Sequence, residues 1–112
     1  MSNCLFCRIV ATEIPATVVR ETERTLAFRD IAPQAPTHVL VIPRDHHPDV
    51  GSLAAADPAL LAELMTAAVA VADKEALTGG YRLLTNTGDD AGQTVAHAHV
   101  HVLGGQPLGP LG

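Results

Sequence analysis

Three histidines at alternate positions, His97, His99 and His101, and two cysteines, Cys4 and Cys7, are the residues whose types and spacing can do chemistry. Imidazole titrates near neutral pH, so with small environmental tuning it can act as nucleophile, general acid or cationic stabiliser. Zinc favours thiolate and imidazole in a four-ligand shell, and Cys-x-x-Cys has the spacing of half such a site. The same pair could instead do redox chemistry; its members are too close in sequence to staple a fold. Just upstream of the histidines, Asn86-Thr-Gly-Asp-Asp-Ala-Gly-Gln-Thr94 offers an amide, a hydroxyl and backbone N–H groups at two glycines. A phosphate group needs such donors. Alone this stretch reads equally well as a polar hairpin loop; the histidines that follow favour the phosphate.

Spacing decides what the three histidines share. On a strand, alternate residues face the same side, so the imidazoles would line one face about 6–7 Å apart, with Ala98, Val100 and Val102 on the other. On a helix, steps of two turn through about 200° and separate His99 from its neighbours. Val100, Val102 and the terminating Gly104-Gly105 favour a strand, expected from Val95 to Leu103. Such a row suits a metal site, a phosphate site or a catalytic constellation.

The rest of the chain must position that row. Residues 4–10 suggest a short helix or turn that Ile14-Pro15 brings to an end. Val18-Val19-Arg20 and Thr25 to Arg29 read as strands around a polar turn, and His38 to Ile42 as a central strand closed by Pro43. Asp57-Pro58 opens the one long helix, since Asp can cap free N–H groups and proline fits the first helical position. Its apolar face runs through Leu60, Leu61, Leu64, Met65, Ala68, Val71 and Ala72, and Thr78-Gly79-Gly80 stops it. Tyr81 to Thr85 is the next strand. Strands without regular β-α alternation predict an α+β fold with an antiparallel sheet of roughly five strands, one long helix and one short.

Composition bounds the function. A chain of 112 residues and 11.7 kDa has room for one domain, residues 1–112, and 47% hydrophobic against 17% charged residues indicates a folded one. A net charge of −5 excludes a basic face that neutralises nucleic-acid phosphates. No apolar run of about 18 residues is present, so no membrane span is expected. The N-terminal MSNCLFCRIV lacks the pattern of a secretory signal, so the expected compartment is the cytoplasm.

At this point the sequence resembles a known family. Gln93-Thr-Val-Ala-His-Ala-His-Val-His-Val-Leu-Gly-Gly105 is similar to the His-φ-His-φ-His-φ-φ motif (φ apolar) of the histidine-triad (HIT) superfamily. The likeness to its HINT branch extends over Phe6 with Ile9, Glu13-Ile14-Pro15-Ala16, Leu26 through Pro43, and Gly80-Tyr81-Arg82. It implies a purine-nucleotide hydrolase or transferase acting at the α-phosphorus. His99 would be the nucleophile that forms a nucleotidyl-imidazole, His101 would contact the phosphate, and His38 would complete the hydrogen-bonded set. Thr94, where the family usually has serine, would touch the phosphate or assist the leaving group. Asn86 and the Gly92 and Val95 backbone would complete the phosphate cradle, and Gln93 would also bind the nucleotide. Phe6, Ile9, Phe28, Ile31 and Leu40 would wall the nucleoside, and Asp30 would take the ribose hydroxyls with its two acceptor oxygens.

The resemblance also implies a structural zinc on Cys4, Cys7, His46 and His97, with His47 a rival for the third place, and a homodimer. Its expected substrates are nucleoside 5′-phosphoramidates, AMP-linked ones foremost. Dinucleoside polyphosphates, or an idle nucleotide- or zinc-binding module, are the alternatives. The chain departs from the family pattern at Ala96, where a bulky residue is common, and in its tryptophan-free tail, the second of which bears on the leaving group.

Overall fold

The computed structural model describes residues 3–110; residues 1, 2, 111 and 112, at the ends of the expected 1–112 domain, lie outside the described residues. Five antiparallel strands form one sheet in the order β1-β2-β3-β5-β4: β1 (Val18–Glu21), β2 (Thr25–Arg29), β3 (Thr37–Pro43), β4 (Tyr81–Leu84) and β5 (Val100–Gly104). The helices are α1 (Leu5–Val10), α2 (Val50–Ala56) and α3 (Pro58–Lys74). Central β3 is buried along its whole length, as its unbroken apolar run requires of a strand covered on both faces.

The pleat sorts the core into two parts. On one face Ala27, Val39, Val41, Val100 and Val102 meet Leu53 of α2 and Leu60, Leu64, Ala68 and Val71 of α3. On the other, Leu26, Phe28, Leu40 and Ile42 meet Phe6 and Ile9 of α1. The register pairs Leu40 with His101 and His38 with Leu103, so both histidines belong to the α1 face. The long helix starts as its sequence predicts: Pro58 opens it and the Asp57 side chain accepts the Leu60 N–H at 3.1 Å. It ends at Lys74, before the glycines, because Ala76 turns left-handed at φ 56°.

Two expectations need correction. α2 has no counterpart in the sequence reading; an Asp49 cap on the Ser52 N–H at 2.7 Å starts it, and only Leu53 of its residues is buried. The final strand begins at Val100, five residues later than expected, because residues 95–99 pair elsewhere. The His97 N–H turns back to the Val95 carbonyl (2.9 Å), and the Ala98 N–H reaches the His47 carbonyl (2.7 Å). Alternation survives without the ladder, since Ala98 still joins Val100 and Val102 in the α3-side core. β5 stops at Gly105, whose φ of 95° and 2.9 Å approach of a would-be Cβ to Pro36 exclude a side chain.

Candidate active site and metal-binding cluster

The α1 face carries His38, His99 and His101 in one hydrogen-bonded environment. The His101 ring lies 5.0 Å from His99 and 5.2 Å from His38, centroid to centroid. His38 Nε2 and His101 Nδ1 are 2.9 Å apart. The direction of that bond follows from its other end: the Gln34 backbone N–H donates to His38 Nδ1 at 3.0 Å. Burial, opposed by the Asp30 carboxylate, lowers the His38 pKa, so the ring is neutral at pH 7 and its single N–H is on Nε2. That N–H donates to His101 Nδ1. Burial, then the neighbouring His99 and His38, push the His101 pKa down to about 4. Neutral His101 therefore carries its proton on Nε2, a buried atom with no protein partner among the described residues. It is a buried donor whose hydrogen-bonding capacity the described residues leave unmet.

His99 is set the opposite way. Its Nδ1–H donates to the His97 carbonyl at 2.7 Å, leaving a lone pair on Nε2. The Thr85 hydroxyl donates to the His99 carbonyl at 2.7 Å, which holds the residue from the end of β4. The Phe6 ring meets His99 edge-on at 5.0 Å and 90°, and Phe28 at 5.5 Å.

His99, His101, Phe6 and Phe28 line a cleft of about 290 Å³ together with Ile9, Asp30, Ile31, Leu40, Thr94 and Val95, and His38 reaches it only through His101. One Asp30 oxygen accepts the Ala32 N–H at 2.8 Å, and the other lies 3.5 Å from His38 Nε2. Ile31 is fully exposed at the rim.

Beside the cleft, Cys4, Cys7, His46 and His97 bring their ligand atoms within 4.8 Å of one another, close enough to hold a metal ion. Cys4 Sγ is 3.4 Å and Cys7 Sγ 3.6 Å from His97 Nδ1; Cys7 Sγ is 3.3 Å and His97 Nδ1 3.2 Å from His46 Nδ1. His97 Nε2–H donates to the Pro43 carbonyl at 2.9 Å, which leaves Nδ1 free of its proton and aimed into the cluster. Burial lowers the His97 pKa, favouring the neutral form that can ligate. Asp30, His38 and His101 also approach within 4.8 Å, but the direct 2.9 Å His38–His101 hydrogen bond occupies the space between them.

Residues 11–108 match the family model for the HIT domain. The purine nucleoside phosphoramidase of Escherichia coli K12 is 44% identical over 108 residues, 96% of this chain and 91% of that protein. A HIT-like protein of Synechococcus elongatus is 48% identical over 106 residues, 95% of this chain and 93% of its own. Among solved structures, a HIT family hydrolase from Clostridium thermocellum superposes with a TM-score of 0.94 at 44% identity, covering 99% of this chain and 97% of its own. A histidine triad protein from Clostridium difficile has the same TM-score at 34% identity, covering 100% and 98%. The chain belongs to the HIT domain family.

In this HIT domain the residues expected to act do not all converge. His38, His99, His101, Thr94, Phe6, Ile9, Phe28, Asp30, Ile31, Leu40 and Val95 border one cleft or its hydrogen bonds. Asn86 and Gly92 do not line it. Gln93 is already engaged: its amide donates to the Val95 carbonyl and to the Pro48 carbonyl of the opposing segment, and its oxygen accepts the Gly88 N–H. Gly92 closes the Asp89–Ala91 turn in the left-handed region. His47 offers the cluster no ring atom; its carbonyl holds Ala98. Thr85 and Gln34 escaped the sequence reading. Thr85 acts from the end of a strand, and Gln34 acts through its backbone, which no residue type announces.

Proposed function

We propose that this HIT domain hydrolyses nucleoside 5′-phosphoramidates, AMP-linked ones foremost, at the α-phosphorus through a nucleotidyl-His99 intermediate. The observation that carries the reading is the opposed tautomers of two neighbouring rings: a bare Nε2 on His99 and a protonated, unpartnered Nε2 on His101. His99 Nε2 attacks phosphorus and the P–N bond to the amine breaks, the departing nitrogen taking a proton from solvent that the hydrolytic water gives back in the second step. His101 Nε2–H steadies the charge building on a phosphoryl oxygen, which is worth most in a site that excludes water. Thr94, in the cleft wall, would touch the phosphate or the leaving group with its hydroxyl. Water then splits the phosphoryl-imidazole bond, giving AMP and restoring His99. Phe6, Ile9, Phe28, Ile31 and Leu40 supply the apolar walls for a purine, and Asp30 the acceptor for the ribose hydroxyls. Hydrolase chemistry of this kind is supported by the names of the Escherichia coli and Clostridium thermocellum relatives.

Release of AMP from adenosine 5′-phosphoramidate tests this. The wild type should turn the substrate over, and His99→Ala should bind AMP yet release none. A wild type that binds AMP and gives no turnover refutes the enzyme reading. Running a dinucleoside polyphosphate in parallel ranks the two substrate classes.

The residues of the cluster fit zinc. Bond lengths of about 2.3 Å to sulfur and about 2.0 Å to nitrogen put ligands of a tetrahedral ion roughly 3.5 Å apart for S···N and roughly 3.3 Å for N···N. The observed separations of 3.3–3.6 Å and 3.2 Å fall there. Held by Cys4, Cys7, His46 and His97, the ion would cross-link α1, the segment after β3 and the segment before β5. Less than about half an equivalent of zinc in untagged protein would overturn the assignment. A homodimer is favoured by β4, an open sheet edge whose Tyr81 is exposed, and by exposed Met65 and Val69 on α3. Sedimentation at micromolar concentration tests it. No helix among the described residues is long and apolar enough to cross a membrane.

A further inference from the structure

We infer that the Cys4–Cys7–His46–His97 cluster, when it holds its metal, positions the nucleophile through the main chain of His97. This rests on the proposed role of His99. Residues 95–99 lie outside the sheet ladder, so strand pairing does not fix the carbonyl that selects the His99 tautomer. Side-chain and loop contacts fix it instead. The His97 ring joins the cluster through Nδ1 and the Pro43 carbonyl through Nε2, while its own carbonyl receives the His99 Nδ1–H. The opposing segment is tied to residues 93–98 at three successive residues. His46 faces His97 across the cluster, the His47 carbonyl accepts the Ala98 N–H, and the Pro48 carbonyl accepts the Gln93 amide.

A metal on the four ligands would lock His46 to His97 and make this two-segment clamp rigid. Without it the clamp keeps only neutral hydrogen bonds, those of Ala98 to His47, of Gln93 to Pro48 and of the His97 ring to Pro43, and the looser His97 carbonyl can turn away from His99. The ring then loses the contact that keeps its proton off Nε2. The purine wall depends far less on the ion, because Phe6 and Ile9 are packed with Phe28, Leu40 and Ile42. His97 is thus a positioning residue acting through its carbonyl, and the metal reaches the chemistry without touching the substrate.

The test compares zinc-loaded and chelator-stripped full-length protein, with His46→Ala as a second route to a weakened site. Circular dichroism checks the fold, turnover of adenosine 5′-phosphoramidate gives kcat and KM, and ring ¹⁵N NMR reads the His99 tautomer. The expected result is a kcat lower by about tenfold, the scale of one lost orienting hydrogen bond, with KM changed less than about threefold. The ¹⁵N shifts should move from the Nδ1–H form toward a mixture. Folded, metal-free protein with unchanged kcat and unchanged His99 shifts would overturn the inference. So would unfolding of both the stripped protein and His46→Ala, which would assign the metal to the fold as a whole. If the zinc-loaded wild type binds AMP but has no turnover, the function proposal fails instead, and the ¹⁵N comparison still decides whether the metal sets the ring.

Discussion

Lowering the pH should destabilise this domain through His101, and the size of the effect follows from its burial. The ring's pKa is about 4 in the folded chain against 6.5 for an unperturbed histidine, chiefly because burial opposes the charged form, with His99 and His38 adding repulsion. Between those values the unfolded chain binds more protons than the folded one. Stability from His101 is therefore fully present above about pH 6.5 and drains away as the pH falls toward 4. The full shift corresponds to on the order of 3 kcal/mol, and the portion lost between pH 7.5 and 5.5 is about 1.3 kcal/mol. His101→Gln removes the titrating ring and offers His38 Nε2–H a carbonyl acceptor in its place. Urea denaturation followed by circular dichroism at the two pH values measures the difference. The wild-type midpoint should fall by about 1 M more than that of His101→Gln. Acid loss of a bound metal affects both proteins and cancels in the comparison. Equal losses would refute the reasoning, for they would mean that the His101 ring is as easily protonated folded as unfolded.

Other substitutions probe other parts of the site. Thr85→Val deletes the hydroxyl that holds the His99 carbonyl and should lower kcat about fivefold in the phosphoramidate assay, with Thr85→Ser restoring it. Asp30→Ala should raise KM about 10- to 100-fold for a ribonucleotide substrate and much less for its 2′,3′-dideoxy analogue, the scale of hydrogen bonds to a charged acceptor. Leu64→Ala, at a fully buried position where α3 meets the sheet, should cost about 2–5 kcal/mol in chemical denaturation. The active site's hydrogen bonds lie on the opposite face, so kcat of the folded fraction should hold.

Much of this site was legible because its side chains obey simple spacings. The alternation of His99 and His101 with Val100 and Val102 put the imidazoles on one face and the aliphatics in the core, as the two packed faces of the sheet bear out. Cys4, Cys7, His46 and His97 were assigned together by resemblance, and their ligand atoms meet although 93 positions separate Cys4 from His97. What could not be read was governed by the backbone. Val95 to His99 has strand-like residues, yet the His47 carbonyl takes the Ala98 N–H and the ladder begins only at Val100. Gln93 has donor chemistry, but two of its side-chain contacts brace its own loop and the third ties it to Pro48 of the opposing segment. α2 escaped because VGSLAAA contributes one buried leucine and no apolar stripe.

The same backbone control explains how identical side chains acquire different jobs. Histidine has two ring nitrogens, and whichever one the main chain engages determines what the other can do. The Gln34 N–H takes the His38 Nδ1 lone pair, so His38 donates from Nε2 and His101 is left to donate outward. The His97 carbonyl takes the His99 Nδ1–H, so His99 presents a lone pair. The Pro43 carbonyl takes the His97 Nε2–H, so His97 turns a ligand nitrogen toward the cysteines. Because His38 and His101 are held neutral, the relay reaches the cleft as an uncharged N–H. That resolves the difficulty posed by a net charge of −5, since such a site can meet a phosphate without a cationic surface. A positively charged His101 would grip the phosphate of substrate and product alike. A neutral, fixed donor gains most where negative charge accumulates, so in the proposed mechanism its contribution would fall on the transition state and not on the bound nucleotide.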